Sequence, residues 1–195
     1  MSDITWELFE RQVEACRLCP LCQHIIHKVP GQGDRQAPLM LIGEGPGQHE
    51  DEQGLAFVGA AGQLLTKMLA AIGLPRERVY ICNVVKCRPP QNRVPTPEEA
   101  AACKIHLRMQ TYLVRPKVIL LLGATAAKAV LGENARITRD RGIWTERKGV
   151  WILPTYHPSA LLHDESKKPQ AWEDLKKLQA KLRELGLYED LLQEK

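Results

Sequence analysis

Residues 38–47, PLMLIGEGPG, carry four consecutive apolar residues after a proline and then a turn with three glycines. A short, uniformly apolar run that stops at glycine is typical of a strand buried on both faces of its sheet. Three further apolar runs predict strands of the same kind, and the last of them continues into a loop: RVYICNVVKC (78–87), KVILLLG (117–123) and VWILPTYHPSALL (150–162).

Helical segments lie between the predicted strands. AAGQLLTKMLAAIG (60–73) has helical spacing and stops at a glycine, a residue suited to a helix C-terminus. A second helix opens with Thr96 as its N-cap, Pro97 at the first helical position and Glu99 closing a capping box. The remaining predicted helices are residues 3–15, ATAAKAVLG (124–132) and the tail from about Gln170. This alternation predicts an α/β fold whose parallel sheet is covered by helices on both faces.

Length and composition limit the classes of protein to which the chain can belong. Its 195 residues suffice for one domain, placed at 1–195, and no apolar run approaches the ~20 residues of a membrane span. The first residues lack the basic and apolar regions of a signal peptide, so we expect a cytoplasmic protein. In that reducing compartment, six cysteines favour a metal or cluster over disulfides. A net charge of +4 permits a nucleic-acid partner without establishing one.

Polar sequences follow three of the predicted strands. They are GEGPG (43–47), CNVVKCRPPQNR (82–93) and TYHPSALL (155–162). Because the sites of parallel α/β sheets lie beyond the carboxyl ends of the strands, we expect these three sequences to converge.

The stretch ACRLCPLC (15–22) holds three of the six cysteines. It offers two overlapping C-x-x-C pairs, Cys16 with Cys19 or Cys19 with Cys22, and the two pairs share one cysteine. Only one of them can supply both ligands of a single site.

The other cysteines are Cys82, Cys87 and Cys103. Cys82 lies within an apolar strand, where a cysteine usually acts as a small buried hydrophobe. Fifteen residues separate Cys87 from Cys103. Four thiolates from two distant segments could bind Zn²⁺ or a [4Fe–4S] cluster, and spacing alone does not choose between them. Unligated thiols are the alternative.

Several motifs, taken together and in this order, resemble the family-4 uracil-DNA glycosylases, which carry an iron–sulfur cluster. The motifs are GEGPG followed by ED, then FVGAAGQLL, NVVKCRPPQNR and HPSALL. The resemblance runs from about Cys16 to beyond Leu162. It implies one three-layer αβα domain around a four-stranded, mainly parallel sheet. It also implies an enzyme of base excision repair that hydrolyses the N-glycosidic bond of deoxyuridine in DNA, releases uracil and leaves an abasic site.

The resemblance also implies a cofactor and partners. ACRLCPL resembles the family form in which Pro-Leu follows the second ligand, which favours a [4Fe–4S] cluster on four cysteines with a structural role. Those cysteines are Cys16, Cys19, Cys87 and Cys103, so Cys22 is spare. The expected partner is uracil-containing DNA, single- or double-stranded, bound by a monomer, with a sliding clamp as a further partner.

Three residues match the family's uracil pocket. By resemblance, Phe57 stacks on uracil, the Asn83 amide pairs with uracil N3–H and O4, and His157 donates to uracil O2. Each has a plainer alternative: core packing for Phe57, a structural hydrogen bond for Asn83 and a surface or structural position for His157.

The glycine-rich turn supplies the remaining pocket candidates. Gly43 and Gly45 would let the backbone approach the base and sugar. Related glycosylases have a water-activating Asp where this chain has Gly45. The remaining carboxylates are Glu50, which would line the pocket or hold the water, and Glu44, a weaker candidate. A dissociative route would need only a positioned water, so the acting carboxylate stays open.

The last motif predicts DNA contacts. Leu161 or Leu162 would wedge into the stack that the flipped base leaves. Five polar residues could hold phosphates, namely Arg88, Arg93, Ser159, Lys167 and Lys168. For the lysines, a solvated surface run is the alternative.

Two other functions compete with a glycosylase. One is a uracil-DNA binding protein that traps its product covalently, but RGIWTERKGVWILPTYHP lacks the basic insertion and extra histidine of that relative. The other is a non-catalytic, zinc-bound nucleic-acid module.

Overall fold

A computed structural model describes residues 4–192 and shows one sheet of six strands in the order β1-β3-β2-β4-β6-β5. The strands are β1 (Gln32–Gly33), β2 (Leu39–Gly43), β3 (Tyr80–Asn83), β4 (Val118–Leu122), β5 (Thr145–Arg147) and β6 (Val150–Thr155). Strands β3, β2, β4 and β6 are parallel, and they are the four that the apolar runs predict. The predicted parallel core of the sheet is therefore confirmed.

Two short antiparallel strands extend the sheet beyond the predicted four. β1 pairs with β3, and β5 pairs with β6 through a hairpin. Their sequences, QG and TER, are short, polar and partly exposed, so they carry no apolar signal that would predict an edge strand.

Nine α-helices surround the sheet within residues 4–192. They are α1 (Trp6–Ala15), α2 (Gln48–Gln53), α3 (Ala60–Ala71), α4 (Pro97–Val114), α5 (Ala124–Leu131), α6 (Ile137–Asp140), α7 (Pro158–His163), α8 (Lys168–Glu184) and α9 (Tyr188–Leu192). The predicted capping box of α4 is confirmed, because Glu99 N–H donates to the Thr96 hydroxyl and Thr96 N–H donates to the Glu99 carboxylate. Gly73 follows α3 with φ of 75°, the left-handed conformation that favours glycine.

Two predicted boundaries need correction. The predicted helix over 3–15 begins at Trp6, because the Thr5 hydroxyl accepts from Leu8 N–H as an N-cap; residue 3 lies outside the described residues. The segment after β6 is a helix rather than the predicted loop. There His157 caps α7 and Pro158 occupies its first position, where proline is favoured.

Apolar side chains pack on both faces of the sheet. Leu41 and Leu120 face a core shared with α3, α8 and α9, whereas Met40 and Leu121 face a second core shared with α4 and α5. Cys82 is fully buried in the second core, as predicted for a small hydrophobe. The two cores make the fold a three-layer αβα arrangement. Across the part of the chain that is described, no helix combines the length and apolarity that a bilayer crossing requires.

Candidate functional site

A cleft of about 460 Å³ opens at the carboxyl ends of β2, β3 and β6. Its lining includes residues from all three polar sequences that follow those strands, among them Glu44, Gly45, Glu50, Phe57, Asn83, Arg93, His157 and Ser159. The predicted convergence of the strand ends is therefore confirmed. Parallel register places Gly43 of β2 beside Asn83 of β3, which fixes the floor of the cleft.

Asn83 ends β3 and is almost fully buried. Its side-chain oxygen, Oδ1, has no hydrogen-bond partner among residues 4–192. A buried acceptor without a partner costs about 1–3 kcal/mol. Gly43 permits this placement, because a Cβ there would lie 2.4 Å from Asn83 Oδ1 and 2.4 Å from Phe57 Cζ. The cleft thus presents a fixed acceptor that needs a donor from a ligand.

Phe57 forms one wall of the cleft. Its backbone has φ of 54°, a left-handed conformation that is strained for a bulky residue and costs about 1–3 kcal/mol. Its ring packs in the core below and lies 5.7 Å from the His157 ring, tilted by 33°. Phe57 therefore packs in the core, as one of the two predictions has it, and its side chain also lines the cleft. Such strain at a cleft is typical of a functional loop.

Glu50 holds the Phe57 loop in place. One carboxylate oxygen accepts from Val58 N–H and Gly59 N–H, each at 2.8 Å, and the other accepts from Gly47 N–H at 3.1 Å. Hydrogen bonds to a carboxylate are stronger than neutral ones. Glu50 lines the cleft as expected, but both of its oxygens already serve backbone donors.

His157 presents a defined tautomer to the cleft. Its Nδ1 accepts from the backbone N–H of Ser159 at 3.1 Å, and the Ser159 hydroxyl lies 2.7 Å from the same nitrogen. An Nδ1 that accepts leaves the proton of the neutral ring on Nε2. Burial lowers the pKa of His157 to about 4, against the opposing influence of the Glu50 charge. At neutral pH the ring is therefore an uncharged donor through Nε2–H.

Glu44 lies in the cleft with a partner that the sequence analysis missed. The Thr125 hydroxyl donates to Glu44 Oε2 across the carboxyl ends of β2 and β4. Thr125 lies in the first turn of α5, directly after β4, which is the neighbour of both β2 and β6. The strand order places the start of α5 at the cleft. In the sequence, the only sign of this was that a polar residue, Thr125, follows shortly after the predicted strand KVILLLG.

The predicted phosphate contacts divide into two groups. Arg93 and Ser159 line the cleft, although Arg93 also pairs with both oxygens of Glu99, at 2.8 and 2.7 Å. The other three residues lie outside its lining and have local partners: Arg88 donates to Asn92, Lys167 pairs with Asp164 and Lys168 pairs with Glu165.

The two candidate wedge residues differ in exposure. Leu161 is 2% exposed and packs in the core with α3, so it cannot enter a DNA stack without leaving that core. Leu162 is 46% exposed. Burial thus disfavours Leu161 as the wedge, and Leu162 is the exposed alternative of the two.

A second cavity gathers cysteines from both cysteine-bearing segments. Its wall contains five of the six cysteines together with two lysines and a histidine, namely Cys16, Cys19, Cys22, Cys87, Cys103, Lys28, Lys86 and His106. The end of α1, the loop after β3 and the first turns of α4 thus meet here. The residues of this cavity suit a group that binds thiolates.

The thiols of this cavity interact electrostatically. Burial raises the pKa of Cys87 to about 12, and nearby Cys103, Cys19 and Cys16 act in the same direction. Burial likewise raises the pKa of Cys103, with Cys19 and Cys16 again contributing. Cys22 acts on the neighbouring Cys19 in the same way as Cys16 does, so both overlapping pairs lie at the cavity.

The buried ring of His106 indicates what kind of group the cysteine cavity can hold. Both ring nitrogens of His106 are buried and lack a partner among residues 4–192. Buried polar atoms normally have partners, so these nitrogens indicate that a polar or anionic group belongs in the cavity. Within the described residues, no set of three or more His, Cys, Asp or Glu side chains is arranged to hold a metal ion.

Comparison with known proteins agrees with this geometry. The sequence model of the uracil DNA glycosylase superfamily matches residues 30–176. The type-4 uracil-DNA glycosylase of Thermotoga maritima is 44% identical over 186 residues, 92% of this chain and 96% of the relative. Those of Sulfurisphaera tokodaii and Archaeoglobus fulgidus are 42% and 44% identical, over 88% and 86% of this chain and 82% and 88% of the relatives. The chain therefore belongs to the uracil-DNA glycosylase superfamily and, within it, to the type-4 uracil-DNA glycosylases.

Proposed function

We propose that this protein is a DNA-repair glycosylase that hydrolyses the N-glycosidic bond of deoxyuridine in DNA, releasing uracil and leaving an abasic site. One observation carries the proposal: the unpartnered Oδ1 of buried Asn83, which faces a cleft walled by Phe57. A base that stays paired and stacked in a duplex cannot reach this buried acceptor. The nucleotide must therefore flip out of the stack before its base can bind there. The names of the relatives support uracil as that base.

Asn83 recognises uracil by matching its edge. Uracil offers N3–H as a donor and O4 as an acceptor, and one carboxamide meets both through Oδ1 and its NH₂ group. Cytosine offers the reverse pattern, so both contacts would clash. A buried polar site can reject such a mismatched analogue by ~10⁴ or more. The Phe57 ring adds stacking, about 1–3 kcal/mol per base.

His157 stabilises the leaving uracil anion. Negative charge develops on uracil O2 as the glycosidic bond breaks, and a fixed donor aimed at that oxygen favours the transition state. The hydrogen bond from Ser159 N–H to Nδ1 directs the Nε2–H towards the cleft. Because the pKa of His157 is about 4, the ring donates a hydrogen bond and does not supply a proton at neutral pH.

The contacts favour Glu44 over Glu50 as the carboxylate that orients water. Glu50 already accepts three backbone N–H groups, so its role is to hold the Phe57 loop. Glu44 is held through one oxygen by Thr125, and its other oxygen has no recorded partner among residues 4–192. This ranking reverses the expectation from sequence. Loss of a positioned base typically costs ~10²–10⁴ in rate.

Paired substitutions separate the two carboxylates. Glu44→Gln should lower the excision rate by about 10² while leaving the melting temperature unchanged. Glu50→Gln should lower the melting temperature, because one amide oxygen cannot replace two charged acceptors. An enzyme with Glu44→Gln that matches the wild-type rate would remove Glu44 from the reaction.

Cys16, Cys19, Cys87 and Cys103 would hold a [4Fe–4S] cluster. Thiolate-held clusters of this kind cross-link segments of chain, and here the link would join α1 to the loop after β3 and to α4. The apposition of the four thiols and the unpartnered His106 support this assignment. The excision reaction itself requires no electron.

The DNA partner would contact the rim of the cleft. Leu162 is the exposed apolar side chain on α7 that could fill the space left by the flipped base. Arg93 lies on the rim, where its guanidinium could bind a phosphate as well as Glu99.

Cleavage of matched oligonucleotides tests the function. Strands with one uracil, cytosine or thymine at the same position are incubated with the protein and then treated with alkali, which breaks abasic sites. We expect scission at uracil alone, and loss of scission with Asn83→Ala. Near wild-type uracil excision by Asn83→Ala would refute the assignment of the pocket.

A further inference from the structure

Lys86 is a lysine buried in the core between the cleft and the cysteine cavity. Its side chain is 1% exposed. Its ammonium donates to the backbone oxygen of Asn83 at 2.7 Å and to the side-chain oxygen of Gln110. Both recorded partners are neutral. A buried ammonium is costly unless a negative charge compensates it, so the neighbourhood should contain an anion.

The cysteine cavity is where that anion would lie. Lys86 lines the cavity together with Cys87 and Cys103. If the cavity holds thiolates around a cluster, their negative charge compensates Lys86.

The same residue reaches the recognition residue of the cleft. The ammonium holds the carbonyl of Asn83, three residues earlier, and so restrains the backbone that aims Oδ1 at the ligand. The Lys86 carbonyl in turn accepts from Val29 N–H at 2.8 Å, which ties the segment after the cysteines to this loop. One residue therefore contacts both the cysteine-bearing segments and Asn83.

We propose that Lys86 is a positioning residue that links the cysteine site to uracil recognition, by compensating the thiolate charge and by holding the Asn83 backbone. The part of this inference that concerns the Asn83 backbone and uracil recognition rests on the proposed function. The electrostatic half stands independently, because it concerns a charge beside the cysteines. A chain of hydrogen bonds and packed groups of this kind is a physical route for coupling two sites.

Two variants separate the two halves. Lys86→Met removes both the charge and the donor at similar length. Gln110→Glu keeps the donor and places a carboxylate on the ammonium, so that Lys86 no longer compensates the thiolates. Lys117→Met is the control, because Lys117 is exposed and follows α4 away from both sites.

Three measurements on purified, cluster-containing protein test the proposal. The first is the reduction potential of the cluster without DNA, which net charge influences. The second is kcat/KM for uracil excision per cluster-containing chain, together with inhibition by free uracil. The third is binding to undamaged DNA, which does not use Asn83.

We expect Lys86→Met to lower the potential, to lower kcat/KM about 10-fold to 100-fold and to weaken inhibition by uracil, with undamaged-DNA binding unchanged. Gln110→Glu should lower the potential and keep most of kcat/KM, and Lys117→Met should match wild type. An unchanged potential in both variants would overturn the electrostatic half. Unchanged kcat/KM and uracil inhibition in Lys86→Met would overturn the positioning half.

Two further outcomes are distinguishable. If Lys86→Met does not fold, the potential of Gln110→Glu still decides the electrostatic half. A loss of about 10-fold to 100-fold in kcat/KM by Gln110→Glu, in which Lys86 keeps its hydrogen bond to Asn83, would then overturn the positioning half. If wild type excises no uracil, the proposed function fails, whereas a lowered potential in the variants would still support compensation by Lys86.

Discussion

Replacing His157 should separate its role in the reaction from its role in the fold. The side chain performs both: Nδ1 accepts from Ser159 N–H as the N-cap of α7, and Nε2–H faces the cleft. His157→Ala removes both contacts. His157→Asn restores a capping acceptor, since Asn is a favoured N-cap, but its short amide does not extend to the position of Nε2.

The two losses have different magnitudes. Loss of one oxyanion donor costs ~10²–10³ in rate. Loss of an N-cap costs about 0.5–2 kcal/mol of stability. We therefore expect both variants to lose ~10²–10³ of the excision rate. Only His157→Ala should also lose the free energy of unfolding that the cap supplies.

The pH profile provides an independent check. Burial lowers the pKa of His157 to about 4, so the neutral ring persists well below pH 6.5. Protonation at Nδ1 would break the hydrogen bond from Ser159. The excision rate should therefore show no inflection from His157 near pH 6.5 and should fall only as the pH approaches about 4.

Stability should follow the same pKa. Because the folded pKa lies below the ordinary value of 6.5, the unfolded chain binds the proton first as the pH falls. The stability associated with the neutral ring is present above pH 6.5 and is lost as the pH falls towards about 4. His157→Asn should remove that part of the pH dependence.

The assay is single-turnover excision from a uracil-containing oligonucleotide between about pH 3.5 and about pH 8, a range that includes both the folded pKa of about 4 and the ordinary value of 6.5. Chemical denaturation over the same range gives the stability. His24→Ala is the control, because His24 is exposed and does not line the cleft. A variant at His157 with the wild-type rate would refute its role at uracil O2, and an inflection near pH 6.5 that disappears in His157→Asn would refute the buried neutral ring.

Three further predictions concern recognition, the cluster and DNA. Asn83→Asp should lose most uracil excision and gain weak cytosine excision, because a carboxylate accepts from cytosine N4; matched oligonucleotides measure both, and no change in either would contradict the pairing. Wild type should contain about four irons per chain, and Cys103→Ser should lose the visible absorbance that Cys22→Ser retains. Bleaching by Cys22→Ser would show that Cys22 is a ligand. Leu162→Ala should weaken excision from duplex DNA more than from single strands at unchanged stability, whereas Leu161→Ala should cost about 2–5 kcal/mol of stability. Equal melting temperatures of the two leucine variants would contradict their assigned environments.

Much of the site was predictable because its residues follow strands with strong local signals. The apolar run before Gly43 and the run that contains Asn83 predict neighbouring buried strands, and parallel strands bring their carboxyl ends together. The Thr96–Glu99 capping box needs only residues three apart, so it too is visible in the sequence. The edge strands β1 and β5 were not predictable, since neither has a buried face long enough to show a pattern.

The sequence by itself determined the α/β class, the parallel core of the sheet and the set of polar residues at its edge, because these depend on apolar runs and on spacing along the chain. Only the tertiary structure decided, between two candidate residues for the same role, which one is buried or already hydrogen-bonded and which one remains available. Leu161 enters the core while Leu162 stays exposed, and Glu50 is occupied by backbone donors while Glu44 keeps an oxygen for the cleft. Lys86 likewise acquires its position from Gln110, 24 residues away. The physical reason is that burial and hydrogen bonding depend on segments that are distant in the chain and that folding brings together. The residues next to a side chain in the sequence do not indicate which distant residue it will contact.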